Sequence, residues 1–94
     1  MTRADILKQA RTCVCGEREQ DYGSPENNFD RIARLWSAYS GHNYSPLDVA
    51  MMMALLKIAR IKTGTGTADS FVDLAGYAAC AGEIRTGTES GAEP

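Results

Sequence analysis

Two cations and two carboxylates stand at helical spacing in the second half of this 94-residue chain: Lys57 with Arg60, and Asp69 with Asp73. Residues three or four apart share a face of a helix, so each pair presents its charges together. Arginine offers a rigid fork of donors matched to phosphate, and lysine a mobile point charge, so Lys57 and Arg60 could grip a phosphate group. Two carboxylates one turn apart could hold Mg²⁺, which keeps several waters and takes one or two protein carboxylates plus phosphate oxygens. The same residues also admit structural roles. Cationic stems can cover apolar surface, cations complement a helix C-terminus and acids its N-terminus, and Lys57 or Arg60 could pair with Asp69 or Asp73.

The stretch from Asp21 to Asn28 is richer in polar and turn-forming groups than a short connector needs. The Tyr22 ring could stack on a base and the Asn28 amide could read a base edge, while a helix start nearby offers unpaired N–H donors to an anion. A capped helix with a buried tyrosine explains the stretch equally well. Tyr77 shares the face of Asp69 and Asp73 together with Gly76 and Cys80, which puts a second ring near the acids. No nucleophilic serine motif, Cys/His dyad or Walker loop is present, which argues against covalent catalysis. Cys13, Cys15 and Cys80 lack the paired spacing of a zinc site and read as reduced, packing cysteines.

Four helices must carry these groups. Thr2 with Asp5 three residues on is an N-cap signature, followed by Ile6, Leu7, Ala10, Cys13 and Val14 at helical spacing, so the first helix covers about 3–15. Ser24-Pro25 opens a second, from about Pro25 to Ser40, with an apolar stripe of Phe29, Ile32, Ala33, Trp36 and Tyr39, and Gly41 stops it. Ser45-Pro46-Leu47-Asp48 repeats the cap and starts a third helix that reaches Lys62. This helix is apolar all round for most of its length, a pattern that predicts burial on every side. Thr63-Gly64-Thr65-Gly66-Thr67 makes a flexible turn, and a fourth helix runs from near Ala68 to about Arg85, dense in small residues that let another backbone approach. There is no strand alternation and no internal repeat. The fold expected is all-α, a small four-helix bundle over residues 1–85 with a disordered polar tail over 86–94.

A chain this short buries only about 60% of its unfolded surface, so completion by oligomerisation is expected, as a homodimer or higher homo-oligomer. The net charge of −2 excludes a global basic field for duplex nucleic acid or an anionic membrane. The apolar run around Met51-Met52-Met53 is far shorter than a membrane span, and the N-terminus lacks a signal-peptide pattern, so a cytoplasmic location is expected.

Taken together, Asp21-Tyr22-Gly23, Asn28-Phe29, Arg31-Ile32-Ala33, Leu35-Trp36, Asp48-Val49-Ala50, Lys57-Ile58-Ala59-Arg60 and the run from Asp69 to Ala79 resemble a family of short phage and prophage proteins without an assigned activity. The match covers about residues 6–84. More remotely, the YG turn, the K-x-x-R helix and the acidic helix ending in Tyr-Ala are similar to the MazG-like, all-α nucleotide pyrophosphohydrolases and related phage nucleotide-modification domains. That resemblance implies a helical bundle assembling as dimers or tetramers, with magnesium held by acids from two helices and a nucleotide between them. The chain departs from it in lacking the E-E-x-x-E motif, Asp48 being the only acid of the third helix, and in showing Ser70-x-x-Asp73 where E-x-x-D belongs.

The reading that follows is a nucleotide-binding protein with Lys57 and Arg60 on phosphate and Tyr22, Asn28 or Tyr77 near base or sugar, at a subunit interface. Such a protein could sequester a nucleotide-derived immune signal, an anti-defence role. A Mg²⁺-dependent pyrophosphohydrolase using Asp69, Asp73 and Asp48 or Glu26 is the enzymatic alternative. The third is a protein-interaction adaptor that uses the Met-rich helix and Trp36.

Overall fold

The computed structural model describes residues 1–16, 25–64 and 67–87. Within them the chain is all-α, with four helices and no strand: α1 (Arg3–Cys15), α2 (Pro25–Ser40), α3 (Pro46–Lys62) and α4 (Ala68–Thr86). Local chemistry sets the helix starts. At α1, Asp5 N–H donates to Thr2 Oγ1 at 3.1 Å and Thr2 N–H donates back to Asp5 Oδ2 at 3.0 Å. At α3, Asp48 N–H donates to Ser45 Oγ at 3.0 Å and Ser45 N–H to Asp48 Oδ2 at 2.9 Å, with Pro46 in the first turn. Each reciprocal pair satisfies two backbone donors that a helix end otherwise leaves open. Ser45→Ala is expected to lower stability by about 1 kcal/mol. For a domain of this size that is a fall of roughly 4–8 °C in Tm, read from a thermal melt followed by circular dichroism.

The α2–α3 turn is equally determined. Gly41 adopts φ +80°, where a side chain would be strained, and its N–H donates to Ser37 O at 2.9 Å. Tyr44 N–H then donates to Ser37 Oγ at 2.9 Å, and the Tyr44 ring meets Trp36 edge-on at 6.3 Å. The turn is thereby pinned to the last turns of α2.

The hub of the packing is α4, which α1, α2 and α3 all touch; among the described helices, α1 rests on α4 alone. Phe29 and Ala33 of α2, Val49 and Ala50 of α3, and Cys80 and Ala81 of α4 form the buried centre, flanked by Val14, Trp36, Met53 and Tyr77. Apart from Phe29 these are small side chains, and among the described residues Val49 is the largest that is fully enclosed. The small residues of α4 allow close approach: a Cβ built on Gly76 would stand 3.0 Å from Val14 Cγ1 of α1.

Burial corrects two expectations. Only one side of α3 is covered: Val49, Ala50 and Ala54 are buried and Met53, Lys57 and Ile61 half-buried, whereas Met51, Met52, Leu55, Leu56 and Ile58 are exposed. The fully buried positions of α3 are the small ones, Val49, Ala50 and Ala54, which pack in the core shared with α2 and α4. In α2, Tyr39 lies one turn beyond the core and is 95% exposed, although Phe29, Ile32, Ala33 and Trp36 face inward as the stripe predicts. Leu7 of α1 and Phe71 of α4 are exposed as well. No described helix is long and apolar enough to cross a membrane.

Candidate functional site

Lys57 projects from the covered side of α3 toward α4, where Asp73 lies one turn past the helix start. Its Nζ stands 3.1 Å from Asp73 Oδ2, with side chains 16% and 24% exposed. The pair thus sits in the α3–α4 seam, mostly but not fully withdrawn from water. One turn along α4, Tyr77 is half-buried, and its ring lies 6.2 Å from Phe29 of α2 at a tilt of 55°. Asn28, adjacent to Phe29, is half-buried too. A polar and aromatic line therefore runs from Lys57 through Asp73 and Tyr77 to the start of α2. Arg60 is exposed one turn beyond Lys57 toward the end of α3.

The structure brings Lys57 and Asp73 into contact, with Tyr77 one turn along α4. Asp69 is exposed in the first turn of α4, where it complements the helix dipole. Asp48 uses one carboxylate oxygen in its cap at the opposite end of α3. Among the described residues no three His, Cys, Asp or Glu side chains gather as a metal site, so Asp48, Asp69 and Asp73 do not form one cluster there. Tyr22 lies outside the described residues, and nothing is described of the Glu26 side chain. Cys80 is buried, Cys13 half-buried and Cys15 exposed, so only Cys80 is a full core residue.

A feature the sequence reading passed over is an open hollow of about 370 Å³ between α2 and α3, lined by Trp36, Tyr39, Ser40, Tyr44 and Met52. It borders the exposed face of α3 and lies outside the Lys57–Asp73 seam. The clue available beforehand was three aromatic residues within nine positions, at 36, 39 and 44, around a glycine turn.

These features define a small all-α protein with a half-buried ion pair between its two central helices. The chain belongs to a family described as a domain of unknown function (DUF6378), whose model matches residues 5–85. It is similar to the Gene 55 protein of Mycobacterium phage D29, 50% identical over 80 residues that make up 84% of this chain and 52% of that protein. The Gene 55 protein of Mycobacterium phage L5 is also 50% identical, over 74 residues covering 78% and 47% of the two chains. The chain thus spans about half the length of the curated relatives it matches, and it is a phage protein of a family without an assigned function. No solved structure matches it.

Proposed function

We propose that this phage protein binds a nucleotide or nucleotide-derived molecule at the α3–α4 seam. The observation that carries the reading is the Lys57–Asp73 pair, held 3.1 Å apart and mostly shielded from water, with the Tyr77 ring one turn away. A phosphate oxygen can take the place of the Asp73 carboxylate on Lys57, because the two acceptors have the same charge sign and hydrogen-bonding role. Arg60, one turn on, supplies the fork geometry for a second phosphate oxygen. Tyr77, one turn from Asp73, offers a ring to stack on a base, and Asn28, next to Phe29 in the chain, an amide to bond its edge. The remote likeness to the MazG-like nucleotide enzymes points to the same ligand class. In a phage protein, such binding would withdraw a nucleotide signal of the host, an anti-defence role.

Binding is favoured over turnover by the placement of the acids. Polarising a phosphoryl group and generating hydroxide both depend on a well-held metal, and here Asp73 faces Lys57 while Asp48 closes a cap. Asp69 and Asp73 remain the residues through which the pyrophosphohydrolase alternative would hold Mg²⁺.

Calorimetric titration with nucleoside phosphates and cyclic dinucleotides tests the reading. At least one is expected to bind, with affinity falling about tenfold or more in Lys57→Ala and in Arg60→Ala, as for loss of a charged hydrogen bond. Asp73→Asn, which removes the competing carboxylate, is expected to tighten metal-free binding. Loss of binding in Asp73→Asn, together with a requirement for Mg²⁺ in the parent chain, would instead favour the hydrolase. No heat from any ligand would end the proposal.

A further inference from the structure

We infer that two copies of this chain pair through the outer face of α3, antiparallel, about a two-fold axis passing beside Leu55. The inference does not depend on a ligand: by helical geometry Lys57 points about 160° away from Leu55, so the seam and this face are on opposite sides of one helix.

The face is built for a copy of itself. Asp48, Met51, Met52, Leu55, Ile58, Ala59 and Lys62 lie on one side of α3, at steps of three and four residues, and all are exposed. The centre of the stripe is apolar, Leu55 being 60% exposed, and its ends carry opposite charges. Among the described residues neither Asp48 nor Lys62 has an ion-pair partner, and Asp48 commits only Oδ2 to its cap. Asp48 and Lys62 each stand seven residues from Leu55, about 10 Å along the axis at 1.5 Å per residue. A two-fold at Leu55 therefore sets Asp48 against Lys62 of the partner subunit, at both ends. The same operation brings Leu55 onto its counterpart, Met52 against Ala59 of the partner subunit and Met51 against Ile58 of the partner subunit. An isologous contact demands such self-complementarity. Parallel pairing would set like charges against each other at both ends, which is unfavourable.

The surrounding surface agrees. Met52 also lines the hollow beside Trp36 and Tyr39, so the apolar area continues from α3 onto the exposed Tyr39 of α2. Contiguous apolar surface of this kind marks interaction sites. Because the largest fully enclosed side chain among the described residues is Val49, the protein has much to gain from covering this area.

Sedimentation velocity over a concentration series tests this on the purified full chain. The parent protein is expected at twice the chain mass at micromolar concentration. Leu55→Glu is expected to weaken pairing roughly 30-fold or more while helix content is retained, since it puts two charges together at the desolvated centre. Lys62→Glu, a fully surface change that serves if Leu55→Glu folds poorly, is expected to weaken it about tenfold by facing Asp48 with a like charge. Added salt should weaken the antiparallel pair, whereas a parallel one would strengthen. A parent chain that stays monomeric at every concentration overturns the inference, as does a dimer that neither substitution weakens or that salt strengthens.

Discussion

Replacing Asp73 by alanine is expected to cost about 2–3 kcal/mol of stability, because it strands the Lys57 ammonium in the seam with its counter-charge removed. Breaking a fully buried pair costs more, about 3–5 kcal/mol, and the residual exposure of both side chains here lets water take up part of the loss. The matching fall in Tm is on the order of 10–20 °C for a domain of this size. Removing both charges at once has a different outcome. In the Lys57→Met, Asp73→Leu double variant the seam becomes apolar at similar volume, a change that is close to neutral or stabilising when the pair is well shielded. Thermal melts of the single and double variants check both statements: the single variant falls and the double variant recovers to near the parent. If the single and double variants fall equally, the pair is not what holds the seam.

The second large effect is at Gly76. A Cβ there would already press Val14 Cγ1 at 3.0 Å, so Gly76→Leu must drive α1 away from α4. Overpacking of this kind costs about 1–3 kcal/mol. The loss should be localised. Because α1 rests on α4 alone among the described helices, its detachment leaves α2, α3 and α4 packed on one another. Hydrogen exchange is expected to show protection lost along residues 3–15 and retained in α3 and the middle of α4. A uniform loss over all four helices would show instead that α1 is integral to a single cooperative unit. Gly76→Ala is a milder case, in which the gain in helix propensity of about 1 kcal/mol opposes the close contact.

What was legible in the chain beforehand was whatever depends on neighbours in sequence. The reciprocal caps at Thr2 and Asp5 and at Ser45 and Asp48, and the stop at Gly41, require only short-range geometry, and α1, α2 and α3 fall within a residue of the expected bounds. α4 runs to Thr86, one residue past its expected end. The inward side of α3 was not legible from hydrophobicity, since a helix apolar all round offers no contrast between faces. Side-chain size held the missing signal. In the first half of the helix Val49, Ala50 and Ala54 are the small members of the run and they join the core formed with α2 and α4, while Met51, Met52, Leu55 and Leu56 stay outside. Tyr39 misled because helical periodicity continues into the last turn of α2, where the side chain borders the open hollow instead of the core. At the candidate site, Lys57 could have paired with either acid of α4. Asp73 prevails because it lies one turn deeper in the helix, whereas Asp69 is at the exposed first turn.

The double variant also separates a structural ion pair from a binding site, because it keeps the seam filled while taking away both the phosphate contact and its competitor. Titration of the parent chain and of Lys57→Met, Asp73→Leu with the same panel of nucleoside phosphates and cyclic dinucleotides is therefore the direct measurement. The parent is expected to bind at least one member, and the double variant to bind none while melting near the parental temperature. A double variant that binds as tightly as the parent, or a parent that binds nothing in the panel, would contradict a nucleotide site at Lys57.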